Sequence, residues 1–342
     1  MTTTELPLVV GVDLGGTQIR AAVLRGAKLL SRVGLLTGEN PRPERVIPRV
    51  FTMIEQAISA AGATLEQIAG IGIGAPGPLN SRTGVVYAPP NLPGWENVPI
   101  GDIFRERFQR PIYIENDANA AALGEYLFGA GQGVRDMVYL TISTGIGGGV
   151  IIDGKIVDGV SGTAAEIGHM TIDMHGPRCN CGNIGCLERM ASGTAIAIFA
   201  NEAIALGKGD DLARFALTHQ QLADKAADTP FDSSAMTPLH VNARTVALAA
   251  EAGIPLAQQI ITNAAEALGF GLINILHIFN PELLILGGGV TQMGKLLLDP
   301  VERVMNEYAM RVPLKSARLV MAQLGVDVGL VGAGSLIYYH QM

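Results

Sequence analysis

Residues 166–188, EIGHMTIDMHGPRCNCGNIGCLE, gather all three cysteines of the chain around a histidine and bracket them with Glu166 and Glu188. Cys179, Cys181 and Cys186 are soft ligands within eight positions, and His169 completes a Cys₃His set, the closed tetrahedral arrangement of structural zinc. Gly176-Pro177, Gly182 and Gly185 supply tight bends that let the chain curl back on one ion. A disulfide would leave one cysteine unpaired, and no secretory segment argues for an oxidising compartment. Three buried free thiols are the plain structural alternative. His175 is the rival fourth ligand, although a position just before Gly-Pro suits a solvated loop better than a metal site. Four protein ligands leave no open coordination position, so such a zinc holds shape and does not activate water. The stretch reads as a zinc knuckle built into the wall of a substrate pocket.

Glycine turns form the second set of candidates. The loop Asp13-Leu14-Gly15-Gly16-Thr17-Gln18 follows an apolar strand, and its backbone N–H groups and the Thr17 hydroxyl are suited to phosphate oxygens. Asp13 is placed to orient a magnesium ion through water. Alone, the same string is equally a hairpin turn. Residues 138–159 repeat the order of strand, glycine turn, strand, with Thr144, Gly145 and Gly147 in the turn. The repeat suggests a duplicated α/β architecture with a nucleotide between the halves. A third turn, Gly287-Gly288-Gly289, ends the apolar run 283–286, where bare backbone could take a flat adenine; an ordinary strand-to-helix turn reads as well.

A third constellation, Glu115-Asn116-Asp117-Ala118-Asn119, sits where the strand 111–115 meets a helix. Asp117 stands where an N-cap would, and the sharper reading is a carboxylate facing the cleft to accept a hydroxyl proton. The proline-rich loop 88–95, with Asn91 and the only tryptophan, is expected to close over a ligand.

The elements that must position these groups can be read from periodicity. Strands are expected across 8–36, a helix over 41–62, a strand over 71–75 ending in Pro76-Gly77-Pro78, and helices over 191–206, 243–252 and 256–276. A helix over 290–312, a strand over 316–323 and a last helix over 330–340 follow. Residues 207–242 read as polar and irregular. At 342 residues two domains are expected: 1–118, with the C-terminal helix of about 328–342 packing back on it, and 119–327. Hydrophobic residues are 48% and charged ones 16%, the balance of a well-buried enzyme, and 43 glycines without a collagen period imply turns and close backbone approaches. A net charge of −7 with no basic stripe argues against a nucleic-acid partner. The N-terminus has neither a basic start nor a long apolar run, and the apolar stretch 271–290 is interrupted by Asn274, His277 and Asn280-Pro281-Glu282, so no membrane span is expected and the cytoplasm is the expected location.

Taken together these segments resemble the ROK family of repressors, open reading frames and sugar kinases, over nearly the whole chain. The most specific element is Gly168-His169 with Cys179-Asn180-Cys181-Gly182-Asn183-Ile184-Gly185-Cys186-Leu187-Glu188, joined by the Asp-Leu-Gly-Gly-Thr loop and residues 115–120. The resemblance implies an actin-like ATPase (ribonuclease H-like) fold, with two similar α/β domains around a nucleotide and sugar cleft. It implies zinc on His169, Cys179, Cys181 and Cys186, and sugar contacts from Gly77, Asn91, Asn116, Asp117, Glu166, His169 and Glu188, with Asp117 as the base. ATP with Mg²⁺ would lie along Asp13, Gly15, Gly16, Thr17, Gln18, Thr144, Gly145, Gly147, Gly287, Gly288 and Gly289. The implied activity is ATP-dependent phosphorylation of a hexose at its 6-hydroxyl, glucose foremost, by a homodimer or dimer of dimers. N-acetylmannosamine, N-acetylglucosamine, fructose or allose are alternative substrates, and a sugar-sensing regulator without catalysis is the rival class. Gln18 departs from the family pattern, where many members carry lysine. No helix-turn-helix segment precedes the first strand, which disfavours the repressor branch.

Overall fold

The computed structural model describes residues 6–226 and 241–341. Two sheets of matching topology organise the described residues. The first half runs β1 (Leu8–Leu14), β2 (Gln18–Arg25), β3 (Lys28–Leu29), β4 (Val33–Leu36), α1 (Pro43–Ala60), β5 (Ile68–Ala75), β6 (Leu79–Asn80), β7 (Val85–Val86), α2 (Ile100–Phe108), β8 (Ile112–Asn116) and α3 (Asp117–Phe128). The second runs β9 (Met137–Ile142), β10 (Ile146–Ile152), β11 (Lys155–Ile156), α4 (Leu187–Ala191), α5 (Gly193–Ala205), α6 (Asp210–Ala226), α7 (Ala243–Glu251), α8 (Pro255–Phe279), β12 (Leu283–Gly287), α9 (Lys295–Tyr308), α10 (Arg311–Ser316), β13 (Arg318–Met321) and α11 (Val328–Gln341).

Sheet one is ordered β3-β2-β1-β5-β8, with β4 also on β2; sheet two is ordered β11-β10-β9-β12-β13. In each, an antiparallel hairpin is followed by two parallel additions: β1 with β2, then β5 and β8; β9 with β10, then β12 and β13. The repeated glycine-turn hairpin seen in the sequence therefore marks a repeated sheet, the two-fold α/β plan of the actin-like ATPases. Parallel strands buried on both faces read as continuous apolar runs, as Leu283, Leu284, Ile285 and Leu286 do, each fully buried.

Helix α11 returns from the second sheet to pack on β1 and β5, and it does so at backbone distance. A Cβ on Gly72 would lie 1.8 Å from Ala333 O, and one on Gly11 would lie 2.2 Å from Leu330 O. Its other flank crosses α3, where a Cβ on Gly332 would lie 2.2 Å from Ala120 O. Much of the glycine content thus serves helix packing and not ligand approach.

Several expectations change. The strand expected over 28–36 divides into β3 and β4, which pair with different ends of β2. Ser192 breaks the expected helix near 191, its hydroxyl accepting Ala195 N–H at 3.1 Å to start α5. The expected helix over 290–312 is a short 3-10 turn, α9 and α10, interrupted at Gly294, which has φ +56°. Residues 210–226 of the segment read as irregular form α6; residues 227–240 lie outside the described residues. The hairpin β6-β7 and helix α2 had no legible signal. Among the described residues α8 alone is long and apolar enough to cross a membrane, and 67% of its most apolar window is buried inside the second core.

Replacing Gly72 by Ala drives a methyl into the Ala333 carbonyl. Overpacking of this kind costs about 1–3 kcal/mol or more; the expected outcome is a lower denaturant midpoint than that of Gly289→Ala, where the backbone is not left-handed and a Cβ meets nothing within 4 Å.

Candidate active site

The cysteine loop closes as the spacing requires. The Sγ atoms of Cys179, Cys181 and Cys186 and a His169 ring nitrogen all lie within 4.8 Å of one another. Cys181 Sγ is 3.7 Å from Cys186 Sγ, and Cys179 Sγ is 3.7 Å from His169 Nδ1. A tetrahedron with Zn–S bonds of about 2.3 Å has sulfur edges of about 3.8 Å, so the donor set fits that ion. Gly182 and Gly185 sit at φ +94° and +60°, and a Cβ on Gly185 would lie 1.6 Å from Asp173 O, so both bends need glycine. His175 is exposed and outside the cluster, its N–H donating to Asp173 Oδ1 at 2.8 Å. Because Nδ1 of His169 faces the sulfurs, Nε2 is the nitrogen left for other partners.

Glu166 enters this loop at the centre of a tight turn: φ −70°, ψ 55°, with Ile167 N–H donating to Ala165 O at 2.7 Å and Ala165 at φ +65°. Burial pushes its carboxyl above the usual range and Glu188 adds to that, while His169 pulls the other way. Glu188, in the first turn of α4, accepts Ile146 N–H on Oε2 at 2.8 Å and lies against Gly145, leaving Oε1 unassigned. Gly77 completes this group, since its missing Cβ would sit 3.2 Å from Asn116 Nδ2 and 4.0 Å from Glu166 Oε1.

At the β8–α3 corner the N-cap is Asn116, not Asp117. Asn116 Oδ1 accepts the N–H groups of Ala118 at 2.9 Å and Asn119 at 3.4 Å, which commits its oxygen to the helix. Asp117 is the first residue inside the helix, with Oδ1 on its neighbour Ala118 N–H at 2.8 Å. Asp117 is solvent-exposed, yet enough of the protein surrounds its carboxyl that desolvation acts on it. Desolvation there, with Asp13 and then Glu166 nearby, pushes its pKa up to about 6. A carboxylate tuned this way suits proton abstraction near neutral pH.

The proline-rich loop does not fold over the cleft through its tryptophan. Trp95 is fully buried, its indole N–H donating to Pro41 O, and it anchors the loop in the first core. Asn91 is exposed and abuts the first glycine turn, where a Cβ on Gly16 would meet Asn91 O at 2.7 Å. Within that turn Gly15 N–H is spent on Gln18 O at 3.0 Å, and Thr37 is bonded to Gly15 O and Thr17 O. Neither Gly15 nor Gly16 has a positive φ, so close approach, not handedness, selects glycine. Arg20, opposite Asp13 in the β1-β2 register, grips Asp13 Oδ2 and also donates to Val326 O at 2.8 Å. This partner was not foreseen, because cross-strand pairing is invisible until the register is known.

In the second turn Gly147 packs at the N-terminus of α3, a Cβ there falling 2.9 Å from Ala118 Cβ. Thr144 lies on the rim of a cavity of about 870 Å³ between α5, α7 and the third glycine turn. Of the three glycines in that last turn only Gly289 lines the cavity: Gly287 packs on Tyr139, and Gly288, at φ +91°, lies over Ile142. Aliphatic walls come from Ala197, Leu248, Val290 and Met293, with Arg244 and Glu251 at polar positions. Sequence reasoning missed the walls from α5 and α7, whose residues carry no local motif. The volume and mixed lining suit a small-molecule ligand, and Thr144 connects the cavity to the turn that holds Glu188.

Comparisons with known proteins cover nearly the whole chain. The ROK family profile matches residues 9–339. A Thermotoga maritima glucokinase is 36% identical over 96% of this chain and 96% of its own. A Caldicellulosiruptor bescii xylose repressor is 32% identical over 96% of this chain and 77% of its own. The crystal structure of a ROK family glucokinase from Streptomyces griseus in complex with glucose and AMPPNP superposes with a TM-score of 0.77, at 35% identity, over 96% of this chain and 98% of that one. With its paired sheets, cysteine loop and glycine turns, the chain belongs to the ROK family.

Proposed function

We propose that this chain is an ATP-dependent sugar kinase acting on the 6-hydroxyl of a hexose, with glucose as the preferred substrate. The observation that carries this reading is the Asp117 carboxyl, raised to about 6 at the N-terminus of α3 beside Asn116 and Glu166. Relatives named glucokinase and the kinase complex with glucose and AMPPNP support it.

A polyol demands several directional partners. Asn116 Nδ2, Glu166, His169 Nε2, the second oxygen of Glu188 and Asn91 supply donors and acceptors of both kinds. Asp117 takes the proton of the attacking hydroxyl as the new oxygen–phosphorus bond forms and the bond from the γ-phosphorus to the β,γ-bridging oxygen breaks, releasing ADP, so no alkoxide has to develop in water. Nucleoside binding between α5 and α7 directs the triphosphate past Thr144 towards Gly15, Gly16 and Thr17. Magnesium carried with ATP supplies charge neutralisation for the phosphates, and Asp13 would hold it through water with the oxygen that Arg20 leaves free. Zinc, when bound, supplies a fixed tetrahedral corner on His169 Nδ1, Cys179, Cys181 and Cys186. His169 then presents Nε2 to the sugar in one tautomer and one orientation. Closure of the two sheet-centred halves excludes water that would otherwise accept the phosphoryl group.

A coupled ADP-release assay across glucose, N-acetylglucosamine, N-acetylmannosamine, fructose and allose tests the reading, with polyphosphate in place of ATP as a further arm. Glucose with ATP should give the highest kcat/KM. Sugar binding without ADP release from any of them would favour the regulator reading, which a xylose repressor among the relatives keeps in view.

General-base assistance is worth roughly 10² to 10⁴ in rate. Asp117→Ala should therefore lose at least that order of kcat while glucose binding stays measurable by calorimetry; retention of more than about a tenth of the rate would remove Asp117 from the role. Asp117 works only when ionised, so kcat should fall as pH drops through about 6 and level off above it.

Elemental analysis should return about one zinc per chain. His169→Ala and Cys186→Ser should lose it, whereas His175→Ala, outside the cluster, should keep it. Equal metal content in all three would refute the assigned set.

A further inference from the structure

Glu115 is a buried carboxyl that the chemistry above does not use. It lies in β8, 5% exposed, one residue before the N-cap of α3. Its Oε1 accepts two hydrogen bonds, from Asn116 N–H at 2.8 Å and from Asn119 Nδ2 at 3.1 Å. Asn116 Oδ1 in turn accepts Ala118 and Asn119 N–H. The three side chains and the helix start thus form a ring of hydrogen bonds, with Asp117 adjoining it between Asn116 and Ala118, whose N–H it accepts. The parallel pairing of Gly74 with Glu115 and Ala75 with Asn116 fixes the strand side of this corner. Helix packing fixes the other, since a Cβ on Gly74 would be 3.6 Å from Ala120 Cβ and 3.8 Å from Asp117 Cα.

We propose that Glu115 is a positioning residue for phosphoryl transfer: its carboxyl closes the ring at the β8–α3 corner and so aims the Asp117 carboxylate at the sugar hydroxyl. The inference rests on the reading of Asp117 as the base. A carboxyl removed from water is costly to keep, and an apolar side chain would fill the same space without that cost. What an apolar residue cannot do is accept both N–H groups, and the Asn119 side chain would then lose its tie to β8. Burial raises the carboxyl's pKa, against the hydrogen bonds from Asn119 and Asn116, with Asp158 adding to the rise. Asn119 Oδ1 is buried without a partner, as expected where this amide is recruited for what its nitrogen donates. One oxygen, Oε1, accepts both bonds, so reach is the property the geometry requires, and a glutamine at 115 reproduces it.

The test compares Glu115→Gln, Glu115→Asp and Glu115→Ala by kcat, by glucose affinity from calorimetry, and in combination with Asp117→Asn. Glu115→Gln should keep about a third or more of the wild-type kcat. Glu115→Asp, one methylene short of both N–H groups, and Glu115→Ala should lose roughly tenfold or more, the scale of a small misplacement of a catalytic group. Glucose affinity should move by less than about threefold in all, because Asn116, the ring member that also faces the sugar, keeps its oxygen on Ala118 and Asn119 N–H without Glu115. Added to Asp117→Asn, Glu115→Ala should cost nothing further, since its effect runs through Asp117. The proposal is overturned if Glu115→Ala keeps kcat within about twofold, if Asp restores what Gln does not, or if the losses multiply in full on the Asp117→Asn background. Should Glu115→Ala not fold, the Gln and Asp pair decides alone. Asp117→Asn retaining more than about a tenth of the rate would instead sink the base assignment, whatever the Glu115 variants do.

Discussion

Helix α3 is confined by backbone on nearly every side, and the site depends on that confinement. Ala118 and Ala122 meet β10 where Gly147 and Gly149 leave no side chain, the Cβ of Ala122 falling 2.4 Å from where one on Gly149 would be. On another flank Ala120 and Gly124 meet Gly332 of α11. At the far end Glu125, fully buried, accepts N–H groups from Ala130, Gln323 and Leu324, so the C-terminus of the helix is tied to the connection into α11. A helix this closely fitted cannot rotate or slide by an ångström without collision. Its first residue, Asp117, inherits that fixity.

The electrostatics follow from the same geometry. Asp13, Asp117 and Glu166 come from three different segments; desolvation first, and then the charges of Asp13 and Glu166, lift Asp117 above an ordinary aspartate. Arg20 on Asp13 and the Ala118 N–H on Asp117 are the local counterweights. The cysteine loop adds His169 from the opposite wall, so acid, amide and imidazole groups converge without one long-range ion pair holding them.

The sequence made some of this legible and hid the rest for physical reasons. The ligand set of the cysteine loop was readable because all four donors lie within eighteen positions and the bends are glycine. The duplicated sheets were readable because a strand, glycine turn and strand recur. The N-cap was misplaced by one residue, since Asn and Asp are nearly equal caps and only the bonded N–H groups distinguish them. Gly287 and Gly288 pack on Tyr139 and Ile142, a role the sequence could not separate from ligand approach because both leave the same letter. Arg20, Arg244 and Glu251 were missed because they join the site only through register and helix packing. Helix α6 lay in a polar stretch whose amphipathic period was passed over.

The lone tryptophan gives the molecule an optical asymmetry. Trp95 is wholly enclosed in the first core and anchors the loop whose Asn91 rests on Gly16, while the half that carries the cysteine loop has none. Intrinsic indole fluorescence should therefore be blue-shifted in the native state and report melting of the first half alone. Any red shift on heating that precedes loss of the tyrosine near-ultraviolet signal, to which Tyr139 of the second sheet contributes, would time the order in which the two cores come apart.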